Sequence, residues 1–438
     1  MGWKTVKIGK FLIERKEKYS PEQANSLNMP RLEKIDFSGR FHIAESKKTG
    51  TGMICIKPSD LVISGINVEK GALGIYEGES DILATIHYSS YEYDKNQIDI
   101  DYLRWFARSS EFKRILREQV GGGIKTEIKP KKFLSLEISL PDIEEQRSIV
   151  QSILSVQEDI NKVNSLNNKN TGFVANLRSS ILQDAIQGKL VPQDSSDEPA
   201  NVLLDRIQKE KEELVKSGKI KKQKELSPIK SEEIPFELPK GWEWVRLGEL
   251  LLLSEYGSAE KANTDESGVP MFRMGNVQKG SLTYDDFKYL NRKAKDLPKL
   301  YLKKNDLLFN RTNSWELVGK TGIFLGDDDS YTFAGYLIRL RSSFLISPIF
   351  INYYLNSDFF RKTQIEPQII QQCGQANFSG GKLVETLCPL PPASEQLHIV
   401  EKVSELFTYC DVLESSTKDA SEASEKLLES VLAKVFNP

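Results

Sequence analysis

The chain repeats part of its own sequence, reading LPDIEEQRSIV at residues 140–150 and LPPASEQLHIV at residues 390–400. Matching residues in the two copies lie 250 positions apart. A second match, with a spacing of 239, joins GWKTVKIGKFL at residues 2–12 to GWEWVRLGELL at residues 241–251. Because the repeated unit is much longer than a solenoid repeat, the sequence predicts two like domains in tandem.

Each repeat unit is predicted to begin with a body of mixed α/β structure. Short runs of β-forming residues, separated by Gly, Asn and Asp turns, predict strands in both bodies. An amphipathic helix is expected at residues 100–119 of the first body and at residues 348–362 of the second. The difference in length between the two bodies is expected in the same region. The predicted fold class is therefore α+β, in the sense of mixed α/β.

A long helix is predicted after each body. Apolar residues recur at spacings of three and four from Ile149 to Ala185 and from Ile399 to Val435. The NNKNTG run at residues 167–172 disfavours a helix, but the gapless match between the copies favours one continuous helix with a local kink. Two helices with one apolar stripe each most simply pack against one another. The alternative is that each helix folds back onto its own body.

A highly charged connector separates the first helix from the second body. Residues 201–216 can form a surface helix, and the KIKKQK run at residues 219–224 is expected to be solvated rather than in contact with nucleic acid. The predicted segments are, in order, a first body (1–141), a first long helix (142–192), the connector (193–240), a second body (241–391) and a second long helix (392–438).

The formal net charge of −2 over 438 residues hides a difference between segments. Residues 1–140 carry a net charge of +4 and residues 241–390 carry +1, whereas residues 141–240 carry −2 and residues 391–438 carry −5. The bodies are thus mildly basic and the helical segments acidic. This division weakly favours bodies that bind an anionic partner.

Composition and motifs exclude several classes of protein. The four cysteines and three histidines are scattered, which argues against a zinc site. With no apolar run of 18 residues and no signal peptide, a cytoplasmic protein with reduced thiols and no membrane association is expected. The sequence contains no GxxxxGK(S/T) loop, GxGxxG, HExxH or Asn/Asp-Pro-Pro-aromatic motif, so no catalytic function is predicted for this chain.

Several long stretches resemble, in sequence and in order, the specificity subunits of Type I restriction–modification systems. They include DLVISGINVEKGALGI at residues 60–75, ELPKGWEWVRLGE at residues 237–249 and DLLFNRTNSWELVGKTGIF at residues 306–324. The connector, from GKLVPQDSSDEPANVLLDRI to IPFELPKGWEW, is especially characteristic of this family. The resemblance covers nearly the whole chain.

This resemblance implies a non-catalytic reader of double-stranded DNA. Each body would be a target-recognition domain, and the two long helices would form an antiparallel coiled coil with pseudo-two-fold symmetry that sets the distance between the domains. The target would be an asymmetric bipartite sequence. The partners would be two modification subunits, which methylate adenine with S-adenosylmethionine, and restriction subunits, which use ATP and Mg. The chain itself would bind no cofactor.

Polar residues in loops between strands are the candidates for DNA contacts. Asn, Gln, Arg and Lys can read base edges, while Lys, Thr and Ser hold phosphates. The candidates are, in the first body, Asn67, Lys70, Lys125, Thr126 and Lys129 and, in the second, Arg273, Asn276, Arg311, Asn313, Lys320, Gln375 and Asn377. The alternative for each residue is a role in a turn or on a solvated surface. Glu145, Gln146, Glu395 and Gln396 are interpreted as residues of the first helical turn.

Two other classes of function stay open at this point. One is a coiled-coil scaffold or adaptor protein with two protein-binding domains, which steeply salt-dependent binding of the assembled complex to DNA would argue against. The other is a methyltransferase with degraded motifs, which methyl transfer to DNA by the purified chain alone would reveal.

Overall fold

The chain folds into two compact units. The structure, a computed structural model, describes four stretches of the sequence: 3–45, 48–120, 127–372 and 374–436. Unit 1 comprises Met1–Lys169 and Ser416–Pro438, and unit 2 comprises Asn170–Ser415. Each unit therefore contains one body and a part of each long helix.

The first body combines strands in three sheets with short helices. Its strands are β1 (Lys4–Lys7), β2 (Leu12–Glu14), β3 (Lys18–Tyr19), β4 (Arg31–Ile35), β5 (Phe41–Ala44), β6 (Met53–Ile56), β7 (Leu61–Ser64), β8 (Leu73–Ile75), β9 (Ile82–Thr85), β10 (Tyr88–Tyr93) and β11 (Glu137–Leu140). Its helices are α1 (Pro21–Ser26), α2 (Ile100–Arg108), α3 (Ser110–Val120) and α4 (Pro130–Leu134). The sheet orders are β1-β11, β2-β10-β7-β8 and β3-β6-β9-β4-β5.

Two helices lie between the bodies in the sequence, the long α5 (Ile143–Ile186) and the connector helix α6 (Ala200–Lys216). The strands of the second body are β12 (Glu243–Arg246), β13 (Leu251–Tyr256), β14 (Val269–Phe272), β15 (Val277–Gln278), β16 (Ser281–Leu282), β17 (Lys288–Leu290), β18 (Leu307–Asn310), β19 (Thr312–Asn313), β20 (Thr321–Ile323), β21 (Thr332–Phe333), β22 (Leu337–Ser342), β23 (Ile370–Gln372), β24 (Gln375–Asn377) and β25 (Leu387–Leu390). Its helices are α7 (Leu247–Leu250), α8 (Leu297–Leu300), α9 (Pro348–Leu355), α10 (Asp358–Phe360) and α11 (Gly380–Glu385), and the long α12 (Ala393–Phe436) follows.

Both bodies close in the same way, with the first strand paired to the last. Lys4 lies opposite Leu140 in the antiparallel pair β1–β11, and Glu243 lies opposite Leu390 in β12–β25. The central sheets also correspond, because the order β2-β10-β7-β8 recurs as β13-β22-β18-β20. In each body, the segment that repeats with a spacing of 239 therefore pairs with the segment that repeats with a spacing of 250. The mixed α/β fold and the tandem arrangement predicted from the sequence are confirmed.

One predicted helix of the first body is in fact two. Residues 100–119 were expected to form a single helix, but α2 ends at Arg108 and α3 begins at Ser110. The Ser109 hydroxyl accepts a hydrogen bond from the Phe112 N–H at 3.2 Å and so caps the second helix. Ser109 itself has an extended backbone (φ −71°, ψ 159°), which interrupts the helical hydrogen bonding.

The two long helices are each continuous. The NNKNTG run lies inside α5, so the prediction of an unbroken helix is confirmed. In unit 1, Asn167 donates to the Ser421 hydroxyl at 3.0 Å, and the earlier residue Val150 packs in one cluster with the later residues Leu432 and Phe436. Earlier residues of α5 thus contact later residues of α12, which shows that the two segments run antiparallel.

Unit 2 shows the same antiparallel pairing between the other segments of the two helices. Arg178 of α5 forms an ion pair with Asp411 of α12 at 2.5 Å, and the later residue Ala185 shares an apolar cluster with the earlier residues Ile399 and Val403. Within each unit the helices also contribute to the core of the body, as Val150 does in unit 1. Packing against the partner helix and packing against a body are thus not alternatives.

A glutamine seats the start of each long helix on its own body. The buried Gln146 side chain accepts from the Asp99 N–H at 2.8 Å and donates to the Pro141 carbonyl at 2.9 Å. Gln396 repeats this arrangement with Ser347 N–H at 2.9 Å and the Pro391 carbonyl at 3.0 Å. Since Asp99 and Ser347 are the N-caps of α2 and α9, each glutamine joins two helix starts. Gln146 and Gln396 lie in the first turn of their helices, as expected. Their hydrogen bonds to the body explain why the same residue stands at both places.

The connector is part of the second body's core. The predicted helix over residues 201–216 is confirmed as α6, whose Ala200, Leu203 and Ile207 are buried against the second body. Lys211 donates to the Gly248 carbonyl at 3.0 Å, and burial lowers the pKa of this lysine to about 8. None of the helices in the described part of the chain combines the length and the apolar character that a membrane span requires.

Candidate nucleic-acid interface

The polar candidates of the second body surround one junction of the main chain. Just after β18, the Arg311 N–H donates to the Tyr336 carbonyl at 3.0 Å, and the Arg311 carbonyl accepts from the Phe378 N–H at 2.9 Å. Three segments that are distant in sequence therefore meet at Arg311. We call the three-stranded sheet that grows from this junction, in the order β19-β24-β23, the outer sheet.

The outer sheet brings together three of the predicted residues. Asn313 lies in β19, and Gln375 and Asn377 lie in β24, where Asn377 pairs with Thr312. The Thr312 hydroxyl donates to Asn377 Oδ1 at 2.8 Å, and Asn313 Oδ1 accepts from the Ser314 N–H at 2.8 Å. Both asparagine side chains thus keep their Nδ2 donors without a hydrogen-bond partner among the described residues, while Gln375 is exposed.

The Arg311 side chain has a fixed orientation. Its guanidinium carbon lies 4.9 Å from the centroid of the Tyr256 ring, and its Nη1 donates to the Gly335 carbonyl at 3.2 Å. Tyr256 is itself held, because its hydroxyl accepts a hydrogen bond from the Gly380 N–H at 2.8 Å at the start of α11. The plane of the guanidinium is therefore set by two neighbouring elements.

The carboxylate beside Tyr256 does not neutralise Arg311. Glu255 forms an ion pair with Lys299 at 2.5 Å and a second one with Arg339. Burial acts to raise the pKa of Glu255, but its hydrogen bonds with Lys299 and Arg339 outweigh burial, so that the pKa lies below its usual value. Glu255 is thus ionised, and its charge is balanced by Lys299 and Arg339.

The predicted residues of the 273–276 turn are held by their own loop. Arg273 Nη2 donates to the Asp286 carbonyl at 2.6 Å and to its carboxylate at 2.8 Å. Asn276 is only 4 % exposed, accepts from the Arg273 N–H at 2.8 Å and donates to the Asp285 carbonyl at 2.8 Å. Both ends of the Asn276 amide are therefore occupied. Lys320, partly exposed, lies at the far end of the loop that follows β19.

The first body has the same junction with a different residue at its centre. The Gly65 N–H donates to the His87 carbonyl at 2.9 Å, and the Gly65 carbonyl accepts from the Ile128 N–H at 2.9 Å. Gly65 therefore occupies the place of Arg311. Two predicted residues, Asn67 and Lys70, lie in the loop that follows.

The remaining predictions in the first body fall near this junction or outside the described residues. Asn67 precedes a short 3-10 helix, and Lys70 Nζ lies 5.7 Å above the Phe37 ring. Lys129 is exposed and precedes α4, one residue after the segment that pairs with Gly65. Lys125 and Thr126 lie outside the residues that the structure describes.

Three aromatic residues near the second junction were not predicted. Tyr256 and Tyr336 are each 48 % exposed, and Trp315 is 37 % exposed in the loop between β19 and β20. Arg361 fastens this loop by donating to the carbonyls of Trp315 at 2.5 Å and Val318 at 2.9 Å. Tyr256 and Tyr336 each lie next to a glycine, and an aromatic–glycine pair at a strand end could have drawn attention to them.

Metal binding finds no support in the described stretches, where no three His, Cys, Asp or Glu side chains come together as ligands. Hydrogen-bond donors and aromatic faces characterise the junction in the second body. Such groups suit base edges and phosphates rather than a covalent reaction.

Part of the chain is similar to a known family of proteins. Residues 239–421 match the model described as Type I restriction modification DNA specificity domain. The EcoAI specificity subunit of Escherichia coli is 35 % identical over 268 residues, which cover 60 % of this chain and 44 % of that protein. The Escherichia coli EcoEI specificity subunit is 31 % identical over 287 residues, covering 60 % of this chain and 45 % of that protein. The matches thus span less than half the length of these two relatives.

Two solved structures share the fold over nearly all of both chains. A structure described as concerning complex assembly and conformational transition of the type I R-M system has a TM-score of 0.67 at 16 % identity, covering 99 % of this chain and 97 % of the other. The crystal structure of the HsdS subunit from Thermoanaerobacter tengcongensis has a TM-score of 0.53 at 16 % identity, covering 99 % and 96 %. Residues 239–421 are thus similar to Type I restriction–modification DNA specificity domains, and the two solved structures share the fold of nearly the whole chain.

Proposed function

We propose that this chain is the non-catalytic DNA specificity subunit of a Type I restriction–modification enzyme, and that it reads an asymmetric bipartite site in double-stranded DNA. The observation that carries this proposal is that the two bodies share one main-chain junction but differ in the side chains around it, with Gly65 in one and Arg311 in the other. Two bodies that share a main-chain arrangement but carry different polar side chains suit two half-sites of different sequence.

The catalytic steps would belong to partner subunits. Two modification subunits would bring S-adenosylmethionine and methylate adenine in each half-site, and restriction subunits would bring ATP and Mg. This chain would contribute recognition and docking, and it would bind no cofactor itself. The paired helix segments, with exposed apolar residues such as Phe173 and Tyr409, support a docking role for the helical part.

The DNA-contacting residues remain predictions. Asn313, Gln375 and Asn377 are supported by their position in the outer sheet, and Arg311 by a guanidinium that has no carboxylate partner among the described residues. For Asn276, the hydrogen bonds within its loop support a structural role in place of a base contact. Asn67, Lys70 and Lys129 are supported more weakly, because they only lie near the Gly65 junction.

The test is to purify the chain with its modification subunits and to map methylated adenines by single-molecule sequencing of treated DNA. We expect one bipartite motif, and binding that weakens steeply with salt. Replacing residues 2–140 with the first body of another family member should change one half-site and leave the other intact.

Three results would contradict this proposal in different ways. A change in both half-sites after the exchange would show that the bodies do not read independently. A complex that assembles but binds no DNA would favour the scaffold alternative, in which the two bodies bind proteins. Methylation of DNA by the rigorously purified chain alone would assign catalysis to this subunit and overturn its non-catalytic role.

A further inference from the structure

We propose that Arg311 reads a guanine in the half-site bound by the second body, with Tyr256 as its positioning residue. This inference rests on the proposed DNA-binding function. It adds the chemical identity of one contact and assigns that contact to one body.

Arg311 is already oriented without a ligand. The Tyr256 ring lies under the guanidinium at 4.9 Å, and Nη1 donates to the Gly335 carbonyl at 3.2 Å. The main chain of Arg311 is fixed on both sides by Tyr336 and Phe378. A planar fork that is already ordered loses little conformational entropy when it binds.

No carboxylate among the described residues neutralises the charge of Arg311. Most other arginines of the second body are paired with carboxylates, as Arg341 is with Asp306 at 2.6 Å and Arg361 with Glu366 at 3.0 Å. Among the described residues Arg311 has no carboxylate partner, and its buried Nε has no hydrogen-bond partner. The far edge of the fork, formed by the second Nη1 hydrogen and by Nη2, stays available to a ligand.

The planar fork of Arg311 suits a base edge better than a phosphate. Guanine presents two acceptors, O6 and N7, in the major groove, and an arginine fork matches both at once. A phosphate can be held by any flexible cation, so it does not require the guanidinium plane to be set by a stacked ring. The fixed plane therefore favours a base edge over the backbone.

The first body cannot make this contact at the matching place. Gly65 occupies the position of Arg311, and a Cβ atom there would lie 2.9 Å from the Ile128 carbonyl oxygen. Any side chain at Gly65 would force the junction to shift. The guanine contact is thus assigned to one half-site, which gives the experiment an internal reference.

The experiment measures binding of the assembled complex to a panel of duplexes in which each base pair of both half-sites is changed in turn. We compare the wild-type protein with Arg311→Lys and Arg311→Ala. Arg311→Lys keeps the charge but not the fork, so it should weaken binding to the intact site by about 10- to 100-fold. Its preference at one G·C pair of one half-site should disappear, while the other half-site is read as before.

Two controls separate a base contact from other roles. Arg292→Lys makes the same chemical change elsewhere in the second body, where Arg292 Nε contacts the Ser267 carbonyl at 2.9 Å, and should leave every preference intact. If Arg311 contacts a base, the salt dependence of binding should be nearly the same in Arg311→Ala as in the wild type. Loss of a phosphate contact would instead lower the slope of log K against log salt concentration by about one.

Tyr256→Phe and Tyr256→Leu test the positioning role. Tyr256→Phe keeps the ring and should retain the guanine preference, whereas Tyr256→Leu removes the stacking surface and should reduce that preference without altering any other base pair. The inference is overturned if Arg311→Lys keeps the full preference at every position, or if the salt slope drops and all sequences weaken equally. A wild-type complex without any sequence preference would instead refute the proposed function itself.

Discussion

In the first body, the buried carboxylate of Asp60 binds Arg15 through hydrogen bonds of 2.7 and 2.8 Å, and in the second body Asp306 binds Arg341 through hydrogen bonds of 2.6 and 2.7 Å. Each aspartate also accepts the N–H of the residue three positions before it, at 3.0 and 2.8 Å. The arginines, however, come from different strands, since Arg15 follows β2 whereas Arg341 lies in β22. Both bodies thus keep the anion and its turn, but the cation comes from the adjacent strand β22 in the second body and from the end of β2, one strand further away, in the first.

A second difference is what covers the β1–β11 and β12–β25 pairs. Lys7 has a side chain that is 65 % exposed, whereas its counterpart Arg246 is 8 % exposed. Arg246 is covered because the connector crosses it, with Arg246 Nε donating to the Ser227 carbonyl at 3.0 Å. Gly9 is exposed and its counterpart Gly248 is buried for the same reason. The connector is therefore a structural addition to the second body.

Residue types follow this difference in coverage. Trp244 packs against Phe236 of the connector with ring centroids 5.1 Å apart, and the first body has the exposed Thr5 at the matching place. The covered position thus holds an aromatic residue and the exposed position a polar one. The two bodies share their main-chain arrangement, whereas their side chains differ according to what covers them. Paired variants at matched positions test this reading.

The largest effect is expected for the buried aspartates. Asp306→Ala leaves Arg341 without a carboxylate partner and should lower the free energy of unfolding by about 3–5 kcal/mol. Asp60→Ala should cost less, about 1–3 kcal/mol, because Arg15 keeps an ion pair with Glu92 at 2.9 Å. Hydrogen exchange of peptides from each body, measured on the full chain, gives the two losses separately.

The control for this pair is Asp286→Ala, whose side chain is 87 % exposed and which should change the free energy of unfolding by less than about 0.5 kcal/mol. A larger loss for Asp60→Ala than for Asp306→Ala would contradict the view that the second body depends more on its carboxylate.

An intermediate effect is expected for the matched glycines. At Gly248 a Cβ atom would lie 3.0 Å from Val384 Cβ and 2.9 Å from Leu226 Cδ1 of the connector, so Gly248→Ala should destabilise by about 1–2 kcal/mol. At Gly9 a Cβ atom would lie 3.0 Å from the Leu134 carbonyl, in an exposed site that can adjust. Gly9→Ala should therefore cost less than about 1 kcal/mol.

The readout for the glycine pair is hydrogen exchange and limited proteolysis of the connector. Gly248→Ala should expose residues 219–230 to exchange and to cleavage, and Gly9→Ala should not. Equal protection of the connector in both variants would show that it does not depend on close packing against α7.

The sequence predicted those features whose residues recur at a regular spacing along the chain. The 250-residue match, the apolar stripes of α5 and α12 and the helix α6 all come from spacing, and each is present in the structure. The position of the length difference was predicted wrongly. Asp60 and Asp306 are already 246 positions apart, so most of the change from 239 to 250 occurs before them and not in the region of residues 100–119.

The site was harder to predict because it has no period. The outer sheet pairs β19 with β24, which are two and three residues long, and such short strands carry no alternation that a sequence reveals. Asn276 looked like a base reader because a polar residue next to a turn has the same appearance whether it bonds its own loop or faces solvent. Tyr256 was missed because a tyrosine in an apolar strand normally indicates packing.

The smallest effect is expected where the long helices begin. Trp242 Nε1 donates to Glu395 at 2.8 Å, and the corresponding pair in the first body is Trp3 with the exposed Glu145 at 3.0 Å. Glu395 is only 2 % exposed, and burial raises its pKa even though Trp242 and Gln193 donate to the carboxylate and act to lower it. An acid with a raised pKa is most favourable when protonated, so this site loses stability as the pH rises from the ordinary glutamate value through the raised one.

Glu395→Gln should therefore stabilise the protein at neutral pH. The glutamine can accept from Trp242 through Oε1, and Gln193 can turn its amide to accept from the new Nε2, so no buried group loses its partner. The gain should be below about 1 kcal/mol, absent near pH 4 and constant above the raised pKa. Thermal unfolding from pH 4 to pH 8 measures this difference, and Glu145→Gln is the matched control, expected to lie within about 0.5 kcal/mol of the wild type at each pH. Equal responses of the two variants would mean that burial does not distinguish the two helix starts. The difference in coverage between the bodies would then be limited to the surface that the connector covers.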